Sequence, residues 1–399
     1  MKRTRHVVVG SSLVALLAAL GIAQQQLEKT AAAQGKSAVQ APRFEVDPMW
    51  PKPMPNHWLL GNTIGVGVDS RDHVFIIHRG ATLEEKEVYA TANPPASECC
   101  QPAPPVLEFD AEGNFVKAWG GPGQGYEWPG SNHGITPDSK GNLWIGGNGA
   151  GSDSHILKFT RDGKFVKQFG FAWANGGSND LWAFNRVAKV SLDEAANEAY
   201  VADGYGNKRV AVIDMDTGKI KRYWGAYGNK PDDTNLGNYN PSAPPIQQFR
   251  NPVHCAEPST DGNVYVCDRP NDRIQVFTKA GKFVKEMIVA KNTRGDGSVW
   301  DIAFSRDAQQ KYMYMADGAN EKIRVFDRAS LTELTSFGDG GRQPGQFYAV
   351  HSIATDSKGN LYTTETYRGQ RLQKFVYKGL APVTKPNQGT VWPTKTTTH

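Results

Sequence analysis

Three histidines recur at one position of a repeated sequence unit. Read from the histidine onward, the units are "HGITPDSKGNLWIGG" (133 to 147), "HCAEPSTDGNVYVCD" (254 to 268) and "HSIATDSKGNLYTTE" (351 to 365). In each unit a Gly-Asn pair begins eight residues after the histidine. If the units fold alike around one axis, the imidazoles of His133, His254 and His351 converge. Three neutral imidazoles with an open fourth position form a catalytic zinc site, so the spacing predicts bound zinc. The alternative is that each histidine only makes a hydrogen bond at the start of a strand.

A second position of the unit also repeats. "IIHR" (76 to 79) and "VCDR" (266 to 269) place Arg79 and Arg269 at one offset, and "VADGYGN" places Tyr205 one residue further on. Two guanidinium groups can hold a carboxylate bidentately and can stabilise a neighbouring phenolate. A tyrosine is a poor base at neutral pH unless cations or a metal stabilise its phenolate. We therefore expect Arg79 and Arg269 to bind a carboxylated substrate beside Tyr205. The alternative is two surface arginines and a loop tyrosine.

The fifth unit carries Asp301 at the histidine offset, where the first and third units carry Ile64 and Ala188. Asp301 is therefore a candidate additional metal ligand, or an acceptor for an imidazole N–H.

Six copies of the unit can be aligned, three of them weaker, and nearly every copy is followed by a second hairpin. Four alternating strands per unit, separated by Asp-Gly or Gly-Asn turns, predict an all-β, six-bladed propeller. The sixth unit lacks its outer strand, which "RFEVDPMW" (43 to 50) near the N-terminus would supply and so close the ring. An open solenoid is the alternative, and it would need capping repeats that the sequence does not show.

The two ends of the 399-residue chain differ from the repeats. Residues 1 to 23 have a basic start, an apolar run and a small-residue site, which predict a cleaved signal peptide and export to the periplasm or the exterior. A retained membrane anchor is the alternative; its apolar run would be short, and no other segment is apolar enough to span a membrane. Residues 24 to 41 are predicted to be a disordered linker, 42 to 380 the propeller, and 381 to 399 a flexible tail.

Charge and cysteine content narrow the function further. The net charge of +5 is spread along the chain without a basic run, so no nucleic-acid partner is expected. Four cysteines in an exported chain favour disulfides, with three possible pairings. Cys255 and Cys267 lie on the two arms of one predicted hairpin, so a cross-strand bond is plausible. Cys99 and Cys100 would then form a vicinal disulfide or stay free.

The insertion at 81 to 105, just after Arg79, is either a lid over the site or a solvated connection.

These residues carry a resemblance to a known family. The chain resembles the peptidyl-α-hydroxyglycine α-amidating lyases, six-bladed propellers of NHL-type repeats, over residues 42 to about 380. "NHGI", "VHCA" and "VHSI" match the zinc ligands of that family, "HRG" and "DR" match its substrate-binding arginines, and "ADGY" matches its catalytic tyrosine. The resemblance implies that His133, His254 and His351 bind zinc. It also implies that Tyr205 is the base and that Arg79 and Arg269 anchor the substrate.

The reaction implied by this resemblance is cleavage of the N–C bond of an N-acyl or peptidyl α-hydroxyglycine, which gives a primary amide and glyoxylate. The family also holds structural calcium through an Asp directly after the third histidine and through two backbone carbonyls, which Val66 and Ile135 would offer here. Ser352 stands at the Asp position, so the calcium site carries over only in part. Propellers host many functions. The alternatives are a lactonase-type hydrolase, a quinone-dependent dehydrogenase, or a binding scaffold with a protein partner.

Overall fold

The computed structural model describes residues 39 to 174 and 176 to 393. These residues form six four-stranded antiparallel sheets, each of which is one blade of a six-bladed β-propeller. The predicted fold class is therefore confirmed.

The strands follow one another blade by blade. Strands β1 (Gln40–Asp47) and β2 (Trp58–Leu59) precede blade one, which contains β3 (Asn62–Val68), β4 (Val74–Arg79), β6 (Val106–Phe109) and β7 (Phe115–Trp119), with β5 (Gln101–Pro102) inserted. Blade two contains β8 (Asn132–Pro137), β9 (Asn142–Gly147), β10 (His155–Thr160) and β11 (Phe165–Gly170). Blade three contains β12 (Lys189–Asp193), β13 (Glu198–Asp203), β14 (Arg209–Asp214) and β15 (Ile220–Trp224).

The remaining blades repeat this order. Blade four contains β16 (Val253–Pro258), β17 (Asn263–Asp268), β18 (Arg273–Thr278) and β19 (Phe283–Ile288). Blade five contains β20 (Asp301–Phe304), β21 (Tyr312–Asp317), β22 (Lys322–Asp327) and β23 (Thr332–Phe337). Blade six contains β24 (Val350–Thr355), β25 (Leu361–Glu365) and β26 (Arg371–Pro382). Short 3₁₀ turns lie at Gly80–Thr82, Glu85–Glu87, Tyr89–Thr91, Glu194–Ala196, Ala226–Gly228 and Arg269–Asn271.

The first strand of each blade lines the central channel. In blades two to five the four strands follow chain order from the channel outward, as the repeat predicts. The buried apolar side chains form six clusters, and each cluster lies between two neighbouring blades. Alternate side chains of a strand point to opposite faces of its sheet, so every blade buries apolar residues against both neighbours. This packing fixes the inner strands around the channel.

The ring is closed by its N-terminal strand. Strand β1 pairs antiparallel with β26 and becomes the outermost strand of blade six, as the sequence predicted. Phe44 in this strand packs edge-on against Tyr314 at a centroid distance of 5.4 Å, so the closing strand also joins the core shared by blades five and six. Strand β1 thus covers the edge of β26 that would otherwise be unpaired.

The segment after β26 also contacts the propeller. The backbone N–H of Val46 donates to the Val391 carbonyl at 2.8 Å, and that of Gly338 donates to the Gly389 carbonyl at 2.8 Å. The sequence predicted a flexible tail from residue 381, whereas these hydrogen bonds hold the chain against blades five and six as far as residue 391. The predicted signal peptide, most of the predicted linker and residues 394 to 399 lie outside the described residues.

Candidate functional site

Three histidines from alternate blades meet in the channel. His133 in β8, His254 in β16 and His351 in β24 are each 2% exposed. Their potential ligand atoms all lie within 4.8 Å of one another. Among the described residues, these three side chains form the cluster that has the composition and spacing to hold a metal ion. The ring centroids are 4.8 to 5.2 Å apart. The convergence that the repeat offset predicted is therefore present, and the cluster could hold a metal ion.

The intervening blades orient these imidazoles. Nδ1 of His133 lies 2.7 Å from the Ala188 carbonyl of blade three, and Nδ1 of His254 hydrogen-bonds to the carbonyl of Trp300, just before blade five. Nδ1 of His351 lies 3.2 Å from the Ser352 hydroxyl, which itself donates to the Ile64 carbonyl of blade one. A carbonyl can only accept, so Nδ1 of His133 and of His254 carries the proton and Nε2 is left with a free lone pair. Backbone carbonyls thus perform the orienting role that metal-binding histidines require.

The electrostatics of the cluster favour neutral imidazoles. Burial, with the positive charges of nearby arginines, lowers the pKa of His133, His254 and His351 well below their usual range. A metal ligand must be the unprotonated imidazole, and burial of three imidazolium ions so close together would be costly. Donor type, tautomer and charge therefore fit a transition metal such as zinc.

Tyr205 lies directly at this cluster. Its hydroxyl oxygen is 3.1 Å from Nε2 of His133 and 3.1 Å from Nε2 of His254. Nη1 of Arg269 donates to the same oxygen at 3.3 Å, and the Arg269 guanidinium also stacks on Trp300 at 4.6 Å. The structure therefore brings the predicted base, one predicted arginine and two predicted metal ligands together around one oxygen atom.

Arg79 reaches the same rim from blade one. Its Nε donates to the Asn132 carbonyl at 3.0 Å, and its Nη2 donates to Oδ1 of Asn148 at 2.7 Å. Burial lowers the pKa of the Arg79 guanidinium, and the nearby Tyr205 partly opposes that shift. Arg79 thus lies near Tyr205 as predicted, although its hydrogen bonds go to asparagine residues.

A third arginine at the site was not predicted. The guanidinium carbon of Arg186 lies 5.7 Å from the centre of the Tyr205 ring, the same distance as that of Arg269. Nε of Arg186 donates to the Asn148 carbonyl at 2.8 Å, so Asn148 contacts both Arg79 and Arg186. Arg186 lies in a loop without a repeated register, and no sequence signal marks it. Asn148 occupies in blade two the offset that Arg79 and Arg269 occupy in blades one and four, so the repeat alignment could have found it.

Buried carboxylates fix the loops that carry Tyr205 and Arg269. Asp203 ends the second strand of blade three, pairs with Arg209 at 2.8 Å and accepts the backbone N–H of Asn185 at 2.8 Å. Asp268 makes the equivalent bonds in blade four, with Arg273 at 2.7 Å and the backbone N–H of Arg250 at 3.0 Å. Tyr205 and Arg269 follow these carboxylates by two residues and one residue, so their backbones are held by the ion pairs.

Blade one carries His78 at the position equivalent to Asp268. Nδ1 of His78 accepts the backbone N–H of Gly61 at 3.0 Å, and Nε2 lies 3.0 Å from the Pro104 carbonyl. Burial lowers the pKa of His78 to about 4, because the charged ring would lose its water and could not accept at Nδ1. A neutral imidazole thus replaces the carboxylate beside Arg79.

Asp301 pairs with Lys189 and is not part of the histidine cluster. Its carboxylate accepts from Nζ of Lys189 at 2.8 Å and from the backbone N–H of Ile353 at 3.2 Å. The Nδ1 acceptors of His133 and His254 are backbone carbonyls instead. Burial raises the pKa of Asp301 to about 6, against the opposing charge of Lys189. The ion pair explains the aspartate without a metal-binding role.

The same ion pair argues against calcium at this level. Val66 and Ile135 line a small cavity together with Lys189 and Asp301. Nζ of Lys189 also lies 2.8 Å from the Glu257 carboxylate, so one ammonium pairs with both acids. Ser352 donates its hydroxyl to the Ile64 carbonyl at 2.9 Å. A buried ammonium repels a second cation, so these residues do not fit the calcium site.

Comparison with known proteins supports the repeat class. The chain is similar to NHL-repeat proteins. It is 25% identical to mouse NHL repeat-containing protein 3 over 357 residues, which cover 85% of each chain. It is 26% identical over 234 residues to Xenopus laevis peptidyl-glycine alpha-amidating monooxygenase B, and this match spans 57% of this chain and 24% of that protein. No protein-family model matches the sequence.

A solved structure shares the fold of this propeller. It is a Bacteroides thetaiotaomicron protein of unknown function, 13% identical, with a TM-score of 0.52, and the match covers 85% of this chain and 77% of that chain. At this identity the likeness concerns the fold alone.

Two disulfides are present in the described residues. Cys255 and Cys267 face each other on β16 and β17, which confirms the predicted cross-strand bond, and Cys99 bonds to Cys100. Both bonds indicate an oxidising, extracellular type of compartment. Over the described part of the chain, no helix has the length and apolar character needed to cross a membrane.

The insertion between β4 and β6 joins two blades. Its short strand β5 pairs in parallel with β2, and Glu84 forms an ion pair with Arg368 in the turn between β25 and β26 of blade six. The segment therefore bridges blades one and six at their rim. The interpretation of residues 81 to 105 as a lid stays a prediction.

Proposed function

We propose that this protein is a zinc-dependent lyase that cleaves an N-acyl or peptidyl α-hydroxyglycine-like substrate to a primary amide and glyoxylate. The observation that carries the proposal is the position of the Tyr205 hydroxyl, which contacts Nε2 of two candidate metal ligands and the Arg269 guanidinium. In this proposal the hydroxyl is the proton acceptor, the guanidinium supplies positive charge, and the imidazole nitrogens bind the metal. The similarity to an amidating monooxygenase is consistent with it.

His133, His254 and His351 would hold the zinc through Nε2. When bound, zinc supplies Lewis-acid polarisation of a substrate oxygen. The protein's own contribution begins with the neutral, oriented imidazoles, whose Nδ1 atoms are held by two backbone carbonyls and the Ser352 hydroxyl. The three imidazoles are buried, so the channel supplies a preorganised environment.

Tyr205 would act as the proton carrier. Its phenolate, stabilised by the guanidinium groups of Arg269 and Arg186, takes the proton of the substrate α-hydroxyl. The oxygen electrons form the aldehyde carbonyl, and the bond between the α-carbon and the amide nitrogen breaks. The nitrogen receives the proton back from Tyr205 and leaves as the primary amide, so atoms and charge balance. Proton transfer by a positioned group contributes about 10²- to 10⁴-fold to such rates.

Arg79 and Arg269 would bind the substrate carboxylate. Nε of Arg269 is buried without a hydrogen-bond partner, so this guanidinium has a donor left for a ligand. Arg79 is held by Asn148 and the Asn132 carbonyl, which limits its rotamers before substrate arrives. Preordered donors lower the entropic cost of binding a carboxylate.

The deciding experiment combines metal content with product formation. Elemental analysis of the purified protein should give near-stoichiometric zinc, and the protein should release glyoxylate from N-acyl α-hydroxyglycines. The His254→Ala variant should lose both, whereas His57→Ala, an exposed histidine outside the cluster, should retain both. Absence of zinc binding even after reconstitution would refute the proposal.

A binding platform is the second candidate. Three neighbouring aromatic side chains, Phe171, Trp173 and Trp182, are 64%, 71% and 80% exposed. This function predicts that Tyr205→Phe changes no measurable property, whereas Trp173→Ser together with Trp182→Ser abolishes capture of a protein partner. The lactonase-type alternative fits less well, since the described metal-capable cluster contains histidines and no acids.

A further inference from the structure

A large cleft opens beside the candidate site. It has a volume of about 840 Å³ and lies between the loop that precedes blade four and residues 294 to 296, which precede blade five. Arg269 and Asp296 form part of its wall, and Nη1 of Arg269 contacts the Tyr205 hydroxyl at 3.3 Å. A ligand held at Tyr205 could therefore extend directly into this cleft, which we name the basic cleft.

The basic cleft has unbalanced positive charge. Four cationic side chains line it, namely Lys208, Arg250, Arg269 and Arg294, against the two carboxylates Asp233 and Asp296. Among the described residues only Arg269 of these four has an ion-pair partner, Asp296 at 3.3 Å. Unpaired cations in a concave surface concentrate the positive potential and attract an anionic ligand.

The two acids of the cleft accept hydrogen bonds, and Asp233 also attracts Lys208 electrostatically. Asp233 accepts from the backbone N–H of Ser178 at 2.9 Å and from its hydroxyl. Asp296 accepts from the Tyr367 hydroxyl at 2.8 Å in addition to its contact with Arg269. Both carboxylates are thus engaged in fixing the walls.

The cations differ in their freedom. Nζ of Lys208 donates to the Thr234 carbonyl, and Nη1 of Arg250 donates to the Leu236 carbonyl at 3.3 Å, so both are tied to the loop before blade four. Burial lowers the pKa of Lys208, which a bound anion would reverse. Arg294 is exposed and makes no side-chain hydrogen bond to the described residues. It is the group best placed to meet a ligand.

The wall is otherwise hydrophilic. Four asparagines and several glycines contribute to it, so backbone and amide groups predominate over apolar side chains. Pockets of roughly 300 to 1,000 Å³ accommodate ligands of the size of a short peptide. This lining suits an extended polar chain better than an aliphatic acyl tail.

We propose that the amide-bearing part of the substrate is an acidic peptide or acyl group whose negative charge binds in the basic cleft. The inference rests on the proposed lyase function, because it assumes that the α-hydroxyglycine carboxylate occupies Arg79 and Arg269 at the inner end. The cleft then selects substrates by the charge of the group that leaves as the amide.

The test compares two substrates that differ in one charge. Glyoxylate release is measured from N-acetylglutamyl-α-hydroxyglycine and from N-acetylglutaminyl-α-hydroxyglycine at low and high salt. The glutamyl substrate should have a kcat/KM about five-fold higher, and salt should reduce the ratio. Arg294→Gln should bring the ratio close to one, and Arg294→Glu should invert it. Lys282→Gln, at an exposed outer turn of blade four, should leave it unchanged.

Two results would overturn the inference. Equal kcat/KM values for the two substrates would show that the cleft does not distinguish a negatively charged substrate from a neutral one. The lyase function would still stand. If neither substrate releases glyoxylate, the lyase function fails, and the cleft is then judged by calorimetric titration with N-acetylglutamyl amide and N-acetylglutaminyl amide. Preferential binding of the glutamyl amide that Arg294→Glu abolishes would support an anion-binding cleft; equal or undetectable binding would refute it.

Discussion

The hydroxyl oxygen of Tyr205 lies 3.3 Å from Nη1 of Arg269, which comes from the neighbouring blade. Each residue follows a buried carboxylate, Asp203 or Asp268, that an arginine of the same blade neutralises. Separate ion pairs beside the two backbones therefore position these side chains. The fold does not depend on the contact between the side chains themselves. Substitutions at Tyr205 or Arg269 should consequently affect chemistry more than stability.

Replacing Tyr205 by phenylalanine tests the proton carrier. Tyr205→Phe should lower kcat for glyoxylate release by about 10²- to 10⁴-fold, since the ring remains and only the proton-accepting oxygen is lost. Zinc content, measured by elemental analysis, should stay near that of the wild type. Unchanged kcat in the phenylalanine variant would remove Tyr205 from the mechanism.

Arg186 offers a test of the unpredicted arginine. If its charge stabilises the Tyr205 phenolate, Arg186→Gln should lower kcat about ten-fold and move the rise of the pH–rate profile to higher pH. Arg71→Gln, which changes an exposed arginine of blade one, serves as the matched control. A fall in kcat without any movement of the pH profile would assign Arg186 to structure only.

His78 makes stability depend on pH. The pKa of His78 in the folded chain is about 4, below the ordinary value near 6.5. Between pH 4 and pH 6.5 the histidine is therefore protonated in the unfolded chain and neutral in the folded chain. The contribution of His78 is fully present above pH 6.5 and is lost as the pH falls to 4.

Urea unfolding of wild type and His78→Asn between pH 4 and pH 8 measures this contribution. The asparagine keeps an acceptor for the Gly61 N–H and cannot titrate. The stability advantage of the wild type should therefore narrow by ~2–4 kcal/mol as the pH falls from 7 to 4. A constant difference across that range would contradict the assignment of a neutral, buried His78.

The disulfide of blade four should stabilise the fold. Cys255→Ala with Cys267→Ala opens a loop with a sequence separation of 12 and should lower the free energy of unfolding by about 2–4 kcal/mol. Cys99→Ala with Cys100→Ala is the comparison, since adjacent cysteines close almost no loop and should cost less. Chemical unfolding of the two variants distinguishes them, and equal losses would argue against the loop-closure explanation.

The histidine cluster could be predicted because it depends on local regularity. The hairpin between the first two strands of a blade has the same length in blades two, four and six, so one offset from the Gly-Asn pair places His133, His254 and His351 at one height. The same regularity brought Arg79, Tyr205 and Arg269 to the rim. The closed ring of blades then brings these positions together around the channel, so no feature beyond the repeat is needed to predict their meeting.

Contacts between loops and across the channel could not be predicted in this way. Lys189 and Asp301 pair across the channel from blades three and five. Only the closed ring shows this pairing, which explains why Asp301 is not part of the histidine cluster. Arg186 lies in a loop that precedes blade three, where residue spacing carries no register. The segment up to residue 391 reads as polar and proline-rich, and its order depends on backbone hydrogen bonds to blades five and six.

The closing strand links the site to completion of the chain. Strand β1 precedes every other strand and β26 follows them, yet the two form one sheet. Blade six also carries His351, the last of the three histidines. A nascent chain interrupted before this blade would contain two of the three candidate ligands and would leave strand β1 without its partner. The histidine cluster is therefore completed only at the end of synthesis, when the first strand pairs with the last. If the cluster binds metal as proposed, a truncated product would fail to retain it.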